Sequence, residues 1–158
     1  MPKGPRNFKR FKTDTLALVH LPAGCQPFPK GKAMIRKDLS QVPETPIDKP
    51  GFRGMTARFA LTRDDGCPRY AMRMMVFEPG GCTSLHAHPE EHEFYFLEGD
   101  PAFVDGDGRE TPLKAGDFVY TLPDEPHQLR NLGTTMMRVI CTIPILPGGD
   151  GKTTGHGH

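Results

Sequence analysis

E-P-G-G-C-T-S-L-H-A-H-P-E-E-H-E-F-Y-F-L-E-G, residues 78–99, sets His86, His88 and His92 within seven positions of one another. Side chains alternate along a β-strand, so imidazoles at i and i+2 on an extended segment project to the same side. Pro89-Glu90-Glu91 then breaks the strand, because proline has no N–H for a central ladder. His92 is thereby free to return from a neighbouring strand. Imidazole is the commonest metal ligand among side chains and suits Zn, Fe, Cu and Ni. This spacing predicts most of a metal site.

Around this stretch the chain reads as short strands and turns. Residues 1–32 have little periodicity and several prolines, and read as a basic N-terminal arm. Within it Leu16-Ala17-Leu18-Val19 could form a short strand able to join a sheet edge. Residues 33–39 predict an opening strand, followed by an irregular run through Pro43, Pro46 and Pro50. Met55, Ala57, Phe59 and Leu61 alternate with Thr56, Arg58, Ala60 and Thr62, a half-buried strand pattern. Asp64-Asp65-Gly66 is a turn, and Tyr70 to Glu78 the next strand. Arg73 shares a face there with Ala71, Met75 and Phe77, so it either snorkels to solvent or enters a polar cavity.

Phe94 to Leu97 is dense in strand formers, and Asp105-Gly106-Asp107-Gly108 signals a hairpin. A second tight turn at Lys114-Ala115-Gly116-Asp117 precedes a strand to Leu122, and Pro123 to Pro126 bends the chain just before His127. Met137, Val139, Cys141 and Ile143 alternate along a last strand, and residues 148–158 read as a flexible tail. Short strands without a convincing helix predict an all-β antiparallel sandwich or barrel, with one domain over residues 33–147.

Composition narrows the function classes. The 158 residues carry a net charge of +1, which gives no field favouring nucleic acid. Charge is uneven, since residues 1–37 hold nine Lys/Arg against Asp14 alone. No apolar run approaches the roughly 18–20 residues that cross a bilayer, so a soluble, cytoplasmic protein is expected. Cys25, Cys67, Cys82 and Cys141 form no C-x-x-C pair, which fits reduced thiols.

Gly80, His86-x-His88, His92 and Gly99 resemble the first motif of the cupin family, and Gly116-Asp117, Pro123, His127 and Asn131 resemble the second. The common pattern has Glu where this chain has His92. The sequence resembles the small four-histidine manganese cupins, which are homodimers built on a single jelly-roll barrel. That resemblance implies metal ligation by His86, His88, His92 and His127, with Arg73 and Cys141 near the pocket. Glu93 is the competing ligand. Adjacent strand residues face opposite ways, and the six-residue spacing to Gly99 favours His92. Phe94 and Phe96 continue the phase of His92, which places them on the pocket wall or in plain core packing. Glu90 and Glu91 are expected on the solvated corner, and Met72, Met74, Met75, Met136 and Met137 as barrel filler.

Four neutral imidazoles leave the +2 charge of a metal uncompensated, so the partner should be a small anionic or chelating molecule. Manganese is the first expectation, with Fe, Ni, Cu or Zn also suited. An octahedral ion would keep two positions for a bidentate substrate, or for substrate plus O2, whereas a tetrahedral zinc would be closed. The leading expectation is therefore a metal-dependent enzyme of dioxygenase type, with Arg73 steadying the anion. Against it stand a non-catalytic metal- or ligand-binding cupin, and a lyase, decarboxylase or isomerase. Metal affinity should fall as pH drops through the imidazole range near ~6.5, because protonated histidine cannot ligate.

Overall fold

The computed structural model describes residues 34–152. The arm at 1–32 with its Leu16–Val19 segment, Cys25, and the tail histidines His156 and His158 lie outside the described residues. The strands are β1 (Thr45–Pro46), β2 (Arg53–Leu61), β3 (Tyr70–Cys82), β4 (His92–Glu98), β5 (Pro101–Asp105), β6 (Glu110–Pro112), β7 (Phe118–Thr121), β8 (His127–Asn131) and β9 (Met137–Pro144). Two 3-10 turns, Leu39–Gln41 and Arg63–Asp65, are the only helical pieces among the described residues. No helix there is long and apolar enough to cross a membrane.

Every pairing is antiparallel, in the order β6-β5-β8-β3-β9-β4-β7, with β2 also on β3 and β1 on β2. Strand β3 meets β2 and β9 over most of its length and reaches β8 only at Cys82↔Arg130. Changing partners in this way curls the sheet into the all-β jelly-roll expected from the short-strand pattern.

The register fixes which side chains meet inside. Phe59↔Arg73, Arg73↔Cys141, Phe94↔Cys141 and Phe94↔Val119 are direct partners, so one row crosses β2, β3, β9, β4 and β7. The next row joins Ala57, Met75, Val139 and Phe96. Opposed residues of an antiparallel pair share a face, so Arg73 is committed to the interior by its apolar row. Phe77, Phe96 and Met137 are fully buried, each stabilising the fold by about 1.5–3 kcal/mol relative to exposure.

Local differences from the sequence reading have physical causes. No strand forms over residues 34–39, because Met34, Ile35 and Leu39 all stay exposed and their alternation has no core to face. Met72 and Met136 are about two-fifths exposed rather than filling the barrel, whereas Met75 and Met137 are buried. The chain after β9 folds back onto the barrel. Arg63 Nε donates to Gly149 O at 2.6 Å, Lys152 Nζ pairs with Asp64, and Gly151 is buried beside Ala71. At Gly99, with φ +91°, an added Cβ would lie 2.7 Å from Met137 Cα, so both conformation and space demand glycine.

Asn131, at the end of β8, is 2% exposed. Its Nδ2 donates to Phe77 O, Glu78 O and Thr135 O at 3.2, 3.0 and 2.8 Å, and its Oδ1 accepts from Gly133 N at 3.1 Å. Replacing it with alanine removes four hydrogen bonds, one buried and three partly buried. Asn131→Ala is expected to lower unfolding stability by about 2–3 kcal/mol, read by urea denaturation, with little effect on the histidine cluster.

Candidate metal centre

Three backbone features gather the histidines. His86 and His88 do not lie on a regular strand, contrary to the alternation argument. Only His86 is paired, as an isolated antiparallel bridge to His127, with His86 N donating to His127 O at 3.1 Å and His127 N to His86 O at 2.9 Å. Opposed residues of such a pair project to one side, and the two rings stand 4.7 Å apart. The next residues bend at Pro89 and lie against the Leu122–Glu125 turn, where Asp124 N donates to His88 O at 2.8 Å. His92 opens β4, its N–H donating to Thr121 Oγ1, and its ring stacks on Phe94 at 4.8 Å. Glu93 is exposed on the other face of the strand.

The ring contacts fit a metal-binding set. His86 Nδ1 and His127 Nδ1 each lie 2.8 Å from a backbone carbonyl oxygen, of Ser84 and Glu125 respectively. Those nitrogens must carry the proton, which leaves both Nε2 lone pairs free. His127 Nε2 is buried without a hydrogen-bond partner. Single donor atoms of His86, His88 and His127 all lie within 4.8 Å of one another. His92 is outside that group of three, yet its Nε2 is 2.8 Å from His88 Nε2. Two nitrogens at adjacent positions, each about 2.1 Å from one ion, would be about 3 Å apart. Three histidines are thus arranged to take a metal, and His92 stands beside them.

Behind the rings the surroundings differ. His88 Nδ1 lies 3.2 Å from Glu90 Oε2, at an angle short of a hydrogen bond. His92 Nδ1 lies 3.2 Å from Cys141 Sγ, whose thiol is pushed up in pKa by burial, against the pull of Arg73. Glu90 is 4% exposed, which corrects the expectation that it lies on the solvated corner. The Pro89 bend turns its side chain inward, and no sequence period marks a residue in a bend as buried. Glu91 is half-buried.

The rings of His86, His92 and His127 open on a cavity of about 320 Å³, also lined by Arg73, Lys49, Phe52, Met55, Phe59, Phe94, Leu129, Asp150 and Lys152, while His88 lies behind its wall. Phe94 lines it as expected from its phase with His92, whereas Phe96 is core and does not. Lys49, Asp150 and Lys152 on the cavity wall carry no sequence signal, since they arrive from a loop and from the chain after β9. The Arg73 Nη1 donates weakly to Lys152 O at 3.4 Å, and its Nε is buried without a partner.

Burial holds all four histidines neutral. His88 is lowered to about 3 by burial first, then by the charges of His127, His86 and Arg73. His92 is lowered further, by burial and then Arg73, while His86 and His127 are lowered chiefly by burial. Protons therefore compete for these nitrogens only below the ordinary ~6.5, and for His88 only near about 3, and metal uptake should persist to lower pH than the sequence alone suggested. Metal-free protein shows the same linkage with a definite sign. Below pH 6.5 the unfolded chain takes up protons that the folded chain refuses. Stability is then complete above 6.5 and is lost as pH falls toward about 3, the value for His88. The slope approaches about 1.4 kcal/mol per pH unit for each histidine. Urea melts of metal-free protein between pH 7 and 4 test this, and a flat profile would contradict neutral burial.

A curled antiparallel barrel with inward histidines from two hairpins is the cupin arrangement. Residues 73–143 match the Cupin domain family, and the all-β jelly-roll around them is the cupin fold. Among its relatives is an oxalate-binding protein of Thermotoga maritima, 29% identical over 120 residues, 74% of this chain and 98% of that protein. Polyketide synthase CurC of Streptomyces cyaneus is 31% identical over 77 residues, 48% of this chain and 50% of that protein. The solved polyketide cyclase RemF of Streptomyces resistomycificus superposes with a TM-score of 0.66 at 28% identity, over 71% of this chain and 80% of that one.

Proposed function

We propose that the chain is a metal-dependent enzyme acting on a small anionic molecule with neighbouring carbonyl oxygens and an apolar body, by a redox-neutral reaction. One observation carries this reading: histidine faces and the Arg73 guanidinium open on the same largely apolar cavity of about 320 Å³. At roughly 30 Å³ per water, that is room for about ten waters, far more than a two-carbon diacid fills. The cavity thus favours a larger chelator than the ligand named for the Thermotoga relative, and one nearer the substrates of a polyketide cyclase.

In this reading His86, His88, His92 and His127 hold one divalent transition metal, manganese first, with Fe, Ni, Cu or Zn as other fits. The bound ion would supply Lewis acidity that stabilises negative charge on a substrate oxygen. Arg73 binds and orients the anion, and Phe52, Phe59, Phe94 and Leu129 hold the carbon body and exclude water. Sulfur favours redox-neutral chemistry. Met55 and Met75 line the cavity and Cys141 Sγ touches His92, and such groups oxidise readily beside O2 chemistry. A dioxygenase is the second reading, supported by a nitrogen-only donor set that leaves positions of an octahedral ion for substrate and O2. A homodimer belongs to the proposal as well, since Phe118, Tyr120 and Leu122, on and just after β7, form an exposed apolar strip.

Manganese-loaded protein should consume members of a panel of β-diketones, 2-oxo acids and poly-β-carbonyl compounds without drawing down O2 at an electrode. Stoichiometric O2 uptake would select the dioxygenase. Binding without turnover across the panel would select a ligand-binding module.

A further inference from the structure

We infer that Glu90 is a positioning residue of the metal centre, supplying through His88 the negative charge that the imidazole ligands lack. This rests on the metal-binding reading above. The Glu90 side chain is only 5% exposed, and its Oε2 faces His88 Nδ1 at 3.2 Å. The other three rings turn their Nδ1 atoms to neutral groups: Ser84 O, Glu125 O and Cys141 Sγ. Glu90 is therefore the one carboxylate within ion-pair range of a ring nitrogen of the four among the described residues, the charge of Glu125 acting on His127 from farther off. A carboxylate 3.2 Å behind an imidazole favours the proton on Nδ1 through its charge and makes Nε2 a stronger donor. It also partly offsets a divalent charge in a site where Arg73 adds a further positive charge. Within the set, His88 becomes the strongest donor, and His92, backed by a thiol that accepts hydrogen bonds poorly, the weakest.

The test is Co²⁺ binding to the full-length metal-free protein, measured by competition with a chromophoric chelator and by the visible d–d spectrum. Glu90→Gln, which keeps shape and removes charge, should weaken Co²⁺ binding about 10–100-fold and shift the d–d bands. Glu90→Asp should recover part of both. A packing role alone would lower the melting temperature of the metal-free Gln variant and leave the spectrum of its Co²⁺ form unchanged, which overturns the inference. So does parental affinity in Glu90→Gln, or, should that variant not fold, a parental spectrum and affinity in Glu90→Asp. Parent protein that binds no Co²⁺ removes the metal reading itself, a result distinct from equal binding by parent and variant.

Discussion

His92→Ala is expected to abolish tight metal binding, while Glu93→Gln binds metal as the parent does. The two residues are adjacent on β4, so one side chain points in and the other out. His92 is buried with Nε2 2.8 Å from His88 Nε2, and Glu93 is exposed. Removing a direct ligand should cost more than the roughly 10–100-fold that follows loss of an outer partner. Metal content after gel filtration, together with Co²⁺ titration, measures it. Because the three-histidine group without His92 is itself compact, weak residual binding in His92→Ala is compatible with the proposal. Full binding by His92→Ala with loss in Glu93→Gln would move the fourth ligand to the carboxylate.

Arg73→Gln should move two affinities in opposite directions. The guanidinium lies in the cavity row Phe59–Arg73–Cys141–Phe94 and makes none of the ion pairs formed among the described residues. Its positive charge contributes to the lowered pKa of each histidine in the cluster, after burial. A charge that opposes protons there opposes a divalent cation for the same reason. Losing it should tighten metal binding several-fold, on the order of 1 kcal/mol. The same loss removes the anion's partner. Truncating one side of a buried charge pair costs about 2–5 kcal/mol, so oxalate, used as a probe on metal-loaded protein, should bind roughly 30-fold to several thousand-fold more weakly. Calorimetry with Mn²⁺ and then with oxalate reads both signs. A parallel fall in the two affinities would mean that Arg73 only supports the fold.

How far the site was legible depended on how local its signals are. The order of the motifs, the spacing from His86 to Gly99 and the Pro-rich bend before His127 are local, and they announced a barrel with two hairpins bearing histidines. The inward phase of Phe94 followed from strand alternation for the same reason, whereas the place of Cys141 near the pocket came from the family resemblance. That reasoning failed for the segment around His86, where the chain leaves the ladder after Cys82 and pairs again only at the bridge to His127. It failed for Glu90 too, since a bend has no period from which burial can be read.

From its sequence alone the chain determined strand phase, turn positions and the identity of the candidate ligands, because these depend on neighbours within a few residues. Tertiary structure alone decided between the two placements that strand alternation left open for Arg73, and it alone decided that Glu90 backs His88 and that Lys49 and Lys152 reach the cavity wall. Each of those depends on sheet register and on segments far apart in the chain, and register is set by the whole set of pairings around the barrel.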